Sequence, residues 1–170
     1  MRIFTAIFPN EEVSDSLRGL RQEILGRNSP SHSDDFHITL HFLGELNGEK
    51  AQKAADAISG LEWRKFEIEI RGISTFHETG LVFASVGRGG DELNALRAAE
   101  AVRLSENGIV VKEERAYLPH ITIARKNTMN LSLWKTASLG TFTAESLSLI
   151  SSVQHAGRYV HTELLKVHFR

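Results

Sequence analysis

The stretch Phe36-His37-Ile38-Thr39-Leu40-His41-Phe42-Leu43-Gly44 alternates strictly, with Ile38, Leu40 and Phe42 on one side and His37, Thr39 and His41 on the other. A period of two is the pattern of a half-buried strand, so the apolar side belongs to a core and the polar side to solvent or a cleft. The pattern returns 83 residues later in Pro119-His120-Ile121-Thr122-Ile123-Ala124-Arg125. Two strands that each offer a histidine and a threonine from one face can complete a single site, provided the fold brings them together.

The repeat is more specific than its short motif suggests. With eight histidines and ten threonines in 170 residues, chance alone gives roughly half of one His-x-Thr triplet. The chain has three, counting His77-Glu78-Thr79. Requiring apolar residues at both x positions lowers the chance expectation to roughly 0.08, and only the copies at His37 and His120 pass. His77 fails because Glu78 is charged and Gly80 breaks the strand, so it reads as a loop. His37 and His41 have the i, i+4 spacing of a helical zinc motif. On a strand that spacing covers about 13 Å, too far for two imidazoles to share an ion. No metal and no cofactor is expected.

The remaining segments read as short alternating elements. Ile3 to Phe8 is a first strand, and Phe4 and Phe42 are assigned to the core. Asn10 caps a helix in which Val13, Leu17, Leu20 and Ile24 recur at helical spacing, ending near Gly26. Asn47 or Gly48 opens an alanine-rich helix closed by Gly60. Lys65–Arg71 and Leu81–Val86 are strands. Gly87-Arg88-Gly89-Gly90 is the expected hinge by composition, with a helix after it that Asp91 caps, that carries Leu93, Leu96, Val102 and Leu104 and that stops at Gly108. Ile109–Glu114 is a strand, Lys126–Trp134 a loop with one helical turn. Thr141–Ser151 and Tyr159–Phe169 are closing strands joined near Ala156-Gly157. Helices mixed with hairpin-compatible strands predict an α+β fold. Because each half contains a strand, a helix and a His-x-Thr strand, a bilobal arrangement is expected: two pseudo-symmetric lobes of mainly antiparallel sheet, helices outside, and a central cleft. Residues 1–170 are read as one domain, with lobes split near 87–90 and closing strands exchanged between them.

Composition narrows the partners. Net charge is −1, from 20 Lys and Arg against 21 Asp and Glu, without the basic excess of a protein that coats long nucleic acid. A nucleic-acid ligand would be an end or a short piece. The chain has no cysteine, which removes disulfides and thiolate metal sites and fits a reducing compartment. No apolar run approaches the ~18 residues of a membrane span, and Met1 to Phe8 lacks a signal peptide's long apolar region. A cytoplasmic monomer is expected.

Two histidines and two hydroxyls suit acid–base chemistry at phosphorus. Imidazole titrates near neutrality, so a pair can hold one protonated and one neutral member at pH 7. Such a pair places an acid and a base on opposite sides of a reacting centre, while threonine hydroxyls donate to its non-bridging oxygens. Attack of water on a phosphodiester is the natural reaction, and a cyclic phosphate is especially suitable because ring strain lowers the barrier. The two motifs are locally alike, so the sequence does not say which histidine is the acid.

The paired motifs resemble the two-histidine phosphoesterase superfamily, and within it the bacterial and archaeal RNA 2′,3′-cyclic phosphodiesterases, historically named 2′-5′ RNA ligases. Arg2-Ile3-Phe4-Thr5-Ala6-Ile7 is similar to the family's opening strand, Phe36 to Glu45 to its first motif and Pro119 to Arg125 to its second. The stretch Tyr159 to Leu165 fits its end, with Tyr159 where a tyrosine is usual. The middle departs: Phe76 to Ala84 lacks the proline- and arginine-rich run and the tryptophan common there, and position 41 is His where Arg is common. The resemblance implies metal-independent hydrolysis of a 2′,3′-cyclic phosphate to a 2′-phosphate, with slow 2′-5′ ligation as the reverse. It makes His37 the proton donor to the leaving ribose oxygen and His120 the base. Thr39 and Thr122 would hold the phosphoryl oxygens. Arg125 matches the family's trailing arginine, although pure alternation turns it away from His120 unless the strand bends or ends near Ala124. His41 would lie at the cleft's rim, and Tyr159 could stack on a base. Alternative substrates are 2′-5′ oligonucleotides or ADP-ribose 1″,2″-cyclic phosphate; an alternative of another class is an RNA-binding module without catalysis.

Overall fold

The structure is a computed structural model and describes residues 1–25, 35–111, 116–125, 131–155 and 158–170. Among these, eight strands form one antiparallel sheet: β1 (Arg2–Ile7), β2 (Ile38–Glu45), β3 (Phe66–Phe76), β4 (Leu81–Val86), β5 (His120–Ala124), β6 (Ser138–Ala144), β7 (Ser146–His155) and β8 (Arg158–His168). Three helices accompany them: α1 (Glu11–Leu25), α2 (Gly48–Ser59) and α3 (Gly90–Glu106). The strand order β6-β3-β4-β5-β2-β1-β7-β8 places the two His-x-Thr strands side by side at the centre. The expected α+β class is what the chain adopts.

The sheet has two matching halves, β2-β1-β7-β8 and β5-β4-β3-β6, joined where β2 meets β5 through the single registered pair Ile38 and Ile121. The halves expected to divide near 87–90 interleave instead. One half runs from β3 to β6 without a break in the order, and the other is assembled from both ends of the chain. Residues 87–90 join β4 to α3, yet β4 and β5, on either side of them in sequence, are neighbours. Nor do these residues hang free as a hinge: the Gly87 and Glu69 amides donate to the Glu69 and Arg88 carbonyls at 2.9 Å. A Cβ on Gly89, which has φ +94°, would meet the Glu67 carbonyl at 2.4 Å, so only glycine fits this close approach.

One face of the sheet carries the helices and the core. Val13, Leu17, Leu20 and Ile24 of α1 pack in one cluster with Ile38, Leu40, Ile68, Ile121 and Phe142. Ala51, Ala54 and Ala57 of α2 pack with Ile3, Leu43, Leu104 and Leu149. Asn10 accepts from the Val13 amide at 3.0 Å and Asn47 from the Lys50 amide at 2.9 Å, which makes them the N-caps that the sequence implies. Gly60 closes α2, and Gly108, with φ +77°, comes just after α3.

Several expectations need correction. The N-cap of α3 is Gly89, with Asp91 in the first turn. Val102 of α3 is 58% exposed, while Glu100 takes a core position. Residues 109–111 are not a strand, and 112–115 lie outside the described residues. Thr141–Ser151 is two strands, because the chain leaves β6 at Ala144, crosses to the other half at Glu145 and pairs with β1 as β7. The helix end at Gly26, most of the loop at 126–130 and the turn at Ala156-Gly157 fall outside the described residues.

Candidate active site

The helix-free face of the β2/β5 junction carries both motifs. Antiparallel pairing through Ile38 and Ile121 sets His37 opposite Thr122 and Thr39 opposite His120. The two histidines then lie on a diagonal, about 7–8 Å apart at the backbone. That separation leaves room for one tetrahedral group between their ring tips.

The rings are tethered alike. His37 Nδ1 lies 2.6 Å from the Asp35 carbonyl and His120 Nδ1 lies 2.7 Å from the Leu118 carbonyl, in each case two residues back along the chain. A carbonyl oxygen can only accept, so Nδ1 must carry the hydrogen and Nε2 is left as the working atom. Each imidazole can therefore take a proton at Nε2 when neutral, or give one there when charged. Burial pushes the His37 imidazole below its ordinary value; the His161 and His120 rings add to the push, while the Asp35 carbonyl and carboxylate oppose it.

A pair of β-bulges decides where the next residues of each strand go. Between β1 and β2 the register passes from Ala6 with Thr39 to Thr5 with His41, leaving Leu40 as an extra residue. Between β4 and β5 it passes from Phe83 with Thr122 to Val82 with Ala124, leaving Ile123 extra. Each bulge reverses the alternation beyond it. His41 thus turns into the core at 1% exposure, instead of reaching the cleft rim. Phe42, assigned to the core from its spacing, is 72% exposed on the site face, with its ring 6.0 Å from Phe4. The same reversal buries Ala124 and exposes Arg125 at the end of β5. Arg125, which simple alternation would turn away, repeats Phe42's pattern in the opposite half. Phe4 is buried, as expected, but its ring stacks on His37 at 5.1 Å.

The bulge in β2 is held from behind. The Leu40 carbonyl accepts from Arg97 Nε at 3.0 Å, and the His41 amide donates to the Thr5 hydroxyl at 3.2 Å. His41 Nε2 lies 2.9 Å from the Arg97 carbonyl and 3.9 Å from a Glu100 carboxylate oxygen. Tyr117 donates to the Thr39 carbonyl at 3.0 Å, and the Arg97 guanidinium lies over its ring at 4.5 Å. Burial pushes the Tyr117 phenol upward. None of Arg97, Glu100 or Tyr117 shows in the sequence as a site residue. They act through backbone groups, which no motif spells out.

Aromatic rings flank each histidine. Phe8 is 5.8 Å from His37, and Phe76 and Phe83 are 5.5 Å and 5.3 Å from His120. Tyr159 is half-exposed, and its hydroxyl accepts from Arg2 at 3.0 Å. His77 lies in the turn between β3 and β4. His161 of β8 comes within 5.7 Å of His37, ring to ring. Only folding reveals it, since β8 reaches the site across β7 and β1. Among the described residues no three His, Asp or Glu side chains group as metal ligands would, and no helix is long and apolar enough to cross a membrane.

The chain is similar to several known proteins. A sequence model of the 2′-5′ RNA ligase superfamily matches residues 9–156. The RNA 2′,3′-cyclic phosphodiesterase of Aeropyrum pernix is 32% identical over 102 residues, 58% of this chain and 57% of that protein. The protein of the same name from Aquifex aeolicus is 25% identical over 169 residues, covering 89% and 88%. In fold, the chain is similar to the crystal structure of apo LigT from E. coli, with a TM-score of 0.84, 20% identity, and coverage of 99% of this chain and 96% of that one.

Proposed function

Because the chain belongs to the 2′-5′ RNA ligase superfamily, we propose that it is a phosphodiesterase that hydrolyses the 2′,3′-cyclic phosphate of an RNA end or nucleoside to a 2′-phosphate without a metal. The twin tethering of His37 and His120 carries the proposal: both rings present Nε2, and nothing else nearby has to act as a nucleophile. His120 Nε2 takes a proton from water as the water oxygen bonds to phosphorus. The bond from phosphorus to the ribose 3′-oxygen breaks, and His37 Nε2 gives its proton to that oxygen. Thr39 and Thr122 hydroxyls donate to the non-bridging oxygens, and the Arg125 guanidinium balances their charge.

The exposure of Phe42 and Arg125 supports one direction for the reaction. At matching positions the His37 half exposes Phe42 and the His120 half exposes Arg125. An aromatic ring suits the nucleoside side of the substrate and a cation the phosphate side. The ribose oxygen then leaves toward His37, which supports the reading of His37 as the acid. The product, like the substrate, is a short RNA end.

Turnover of a nucleoside 2′,3′-cyclic phosphate in excess chelator tests the reading. Full activity is expected, with His37→Ala and His120→Ala each losing at least ~10² in kcat. Loss on chelation that zinc restores would sink the mechanism. A preference for 2′-5′ oligonucleotides or ADP-ribose 1″,2″-cyclic phosphate in the same assay would keep the residues and change the substrate.

A further inference from the structure

Three imidazoles share the helix-free face, and the third has no role in the proposed proton transfers. His161 meets His37 edge to face, with ring centroids 5.7 Å apart and planes at 76°. It meets Phe4 in the same way, at 5.2 Å and 72°. Phe4 in turn stacks on the His37 ring at 5.1 Å. The three rings of His37, Phe4 and His161 therefore form one mutually touching cluster.

Asp35 connects the two histidines. Its carbonyl accepts from His37 Nδ1, and its carboxylate lies 3.6 Å from His161 Nδ1. Among the described residues no group is within hydrogen-bonding distance of that nitrogen, and the Asp35 carboxylate faces it at ion-pair range. The His161 side chain is 19% exposed, so water screens it only partly. The other charges of β1 and β8 beside it are engaged elsewhere. Glu163, two residues along β8, is bound by the Ser148 hydroxyl at 2.8 Å and Lys166 at 3.3 Å. Arg2 of β1 is bound by Tyr159 and lies 3.8 Å from Glu45. Ser152, opposite His161 on β7, is small and uncharged. Asp35 and His37 are thus the ionisable groups against His161, with His120 across the junction.

We propose that His161 is a positioning residue for His37: facing the Asp35 carboxylate, it joins Phe4 in packing against the His37 ring and sets a second positive charge beside it whenever both rings are protonated. Two like charges this close repel, so the pair favours release of the proton from His37 Nε2 toward the cleft. This rests on His37 being the general acid. A proton donor tuned this way gives its proton up more readily and recovers it only at lower pH, the exchange that general acid catalysis sets. Burial and the His161 charge act on His37 in the same direction.

The test uses His161→Gln, which removes the charge, and His161→Asn, whose amide can still reach Asp35. Two readouts are taken: the ring-proton NMR titration of His37 in the ligand-free protein, and the pH profile of kcat/KM on a nucleoside 2′,3′-cyclic phosphate. In both variants the His37 titration moves to higher pH, and the limb of the profile that tracks it moves by the same amount. The maximal rate falls several-fold, less in His161→Asn than in His161→Gln. A His37 titration unchanged in both folded variants overturns the proposal, as does a rate loss with the profile's shape intact. If the titration moves but the wild type does not turn over cyclic phosphate, the pairing stands and the proposed reaction falls.

Discussion

Glu100 is a carboxyl group with no access to water, and burial pushes it up to about 8 against the pull of the Thr5 hydroxyl and the Arg97 guanidinium. It holds a proton when folded and loses it when unfolded throughout the interval from its ordinary value, 4.5, to about 8. There the unfolded chain binds fewer protons than the native one, so stability falls as pH rises. Glu100→Gln removes this slope. Thermal or urea unfolding at pH 5 and pH 8 should show the variant relatively more stable at pH 8, on the order of 1–3 kcal/mol. A slope that survives the substitution would place the linkage on another group. The sequence could not announce this residue, because a glutamate in a helix reads as solvated until the sheet behind it is known. His41 hides for the same reason. The residues that were legible, His37, Thr39, His120 and Thr122, project from the face that the strand period exposes, before either bulge intervenes.

The bulged strand β2 stands at the next scale. The bulge frees one peptide group, whose carbonyl goes to Arg97 and whose amide goes to Thr5. Tyr117 adds a bond from the chain just ahead of β5 to the Thr39 carbonyl. The two motif strands share a single registered pair, so this bond is one of few that keep them aligned. Tyr117→Phe should cost about 1 kcal/mol in urea unfolding and lower kcat, while Arg97→Ala should cost about 1.5–3 kcal/mol because losing a charged donor leaves a carbonyl unpaired. Wild-type stability in both variants would mean that other contacts align the strands. Alternation gave the strands correctly through Leu40 and Ile123 and failed at the next residue in each, His41 and Ala124. A bulge has no composition of its own; Leu40 and Ile123 are ordinary strand residues. The exposure of Phe42 and Arg125 comes from register alone.

At the scale of the molecule, two half sheets of matching order meet at the site. The rhyme between them was readable, since each carries its own His-x-Thr strand. Which strands make up each half was not: β3 and β4, from the first half of the chain, join β5 and β6, and only pairing partners reveal that. The near-neutral charge of 20 Lys and Arg against 21 Asp and Glu predicts how such a site would hold the proposed RNA ligand. Binding of a short oligonucleotide should depend shallowly on salt, with a slope corresponding to about one or two phosphates. A slope corresponding to six or more would mean that an extended track of the surface is engaged.

The equal tethering of His37 and His120 also governs how the protein recovers between turnovers. Under the proposed chemistry it ends a cycle with its protons inverted, the former base charged and the former acid neutral. Because both rings are bonded through Nδ1, neither needs to turn over or change tautomer to recover, and two transfers with solvent at Nε2 suffice. Until they occur, the protein is poised to run the reaction backwards, joining the ribose oxygen to the phosphate it has just released. Buffer species that carry protons should therefore hasten the reset without touching the bond-breaking step.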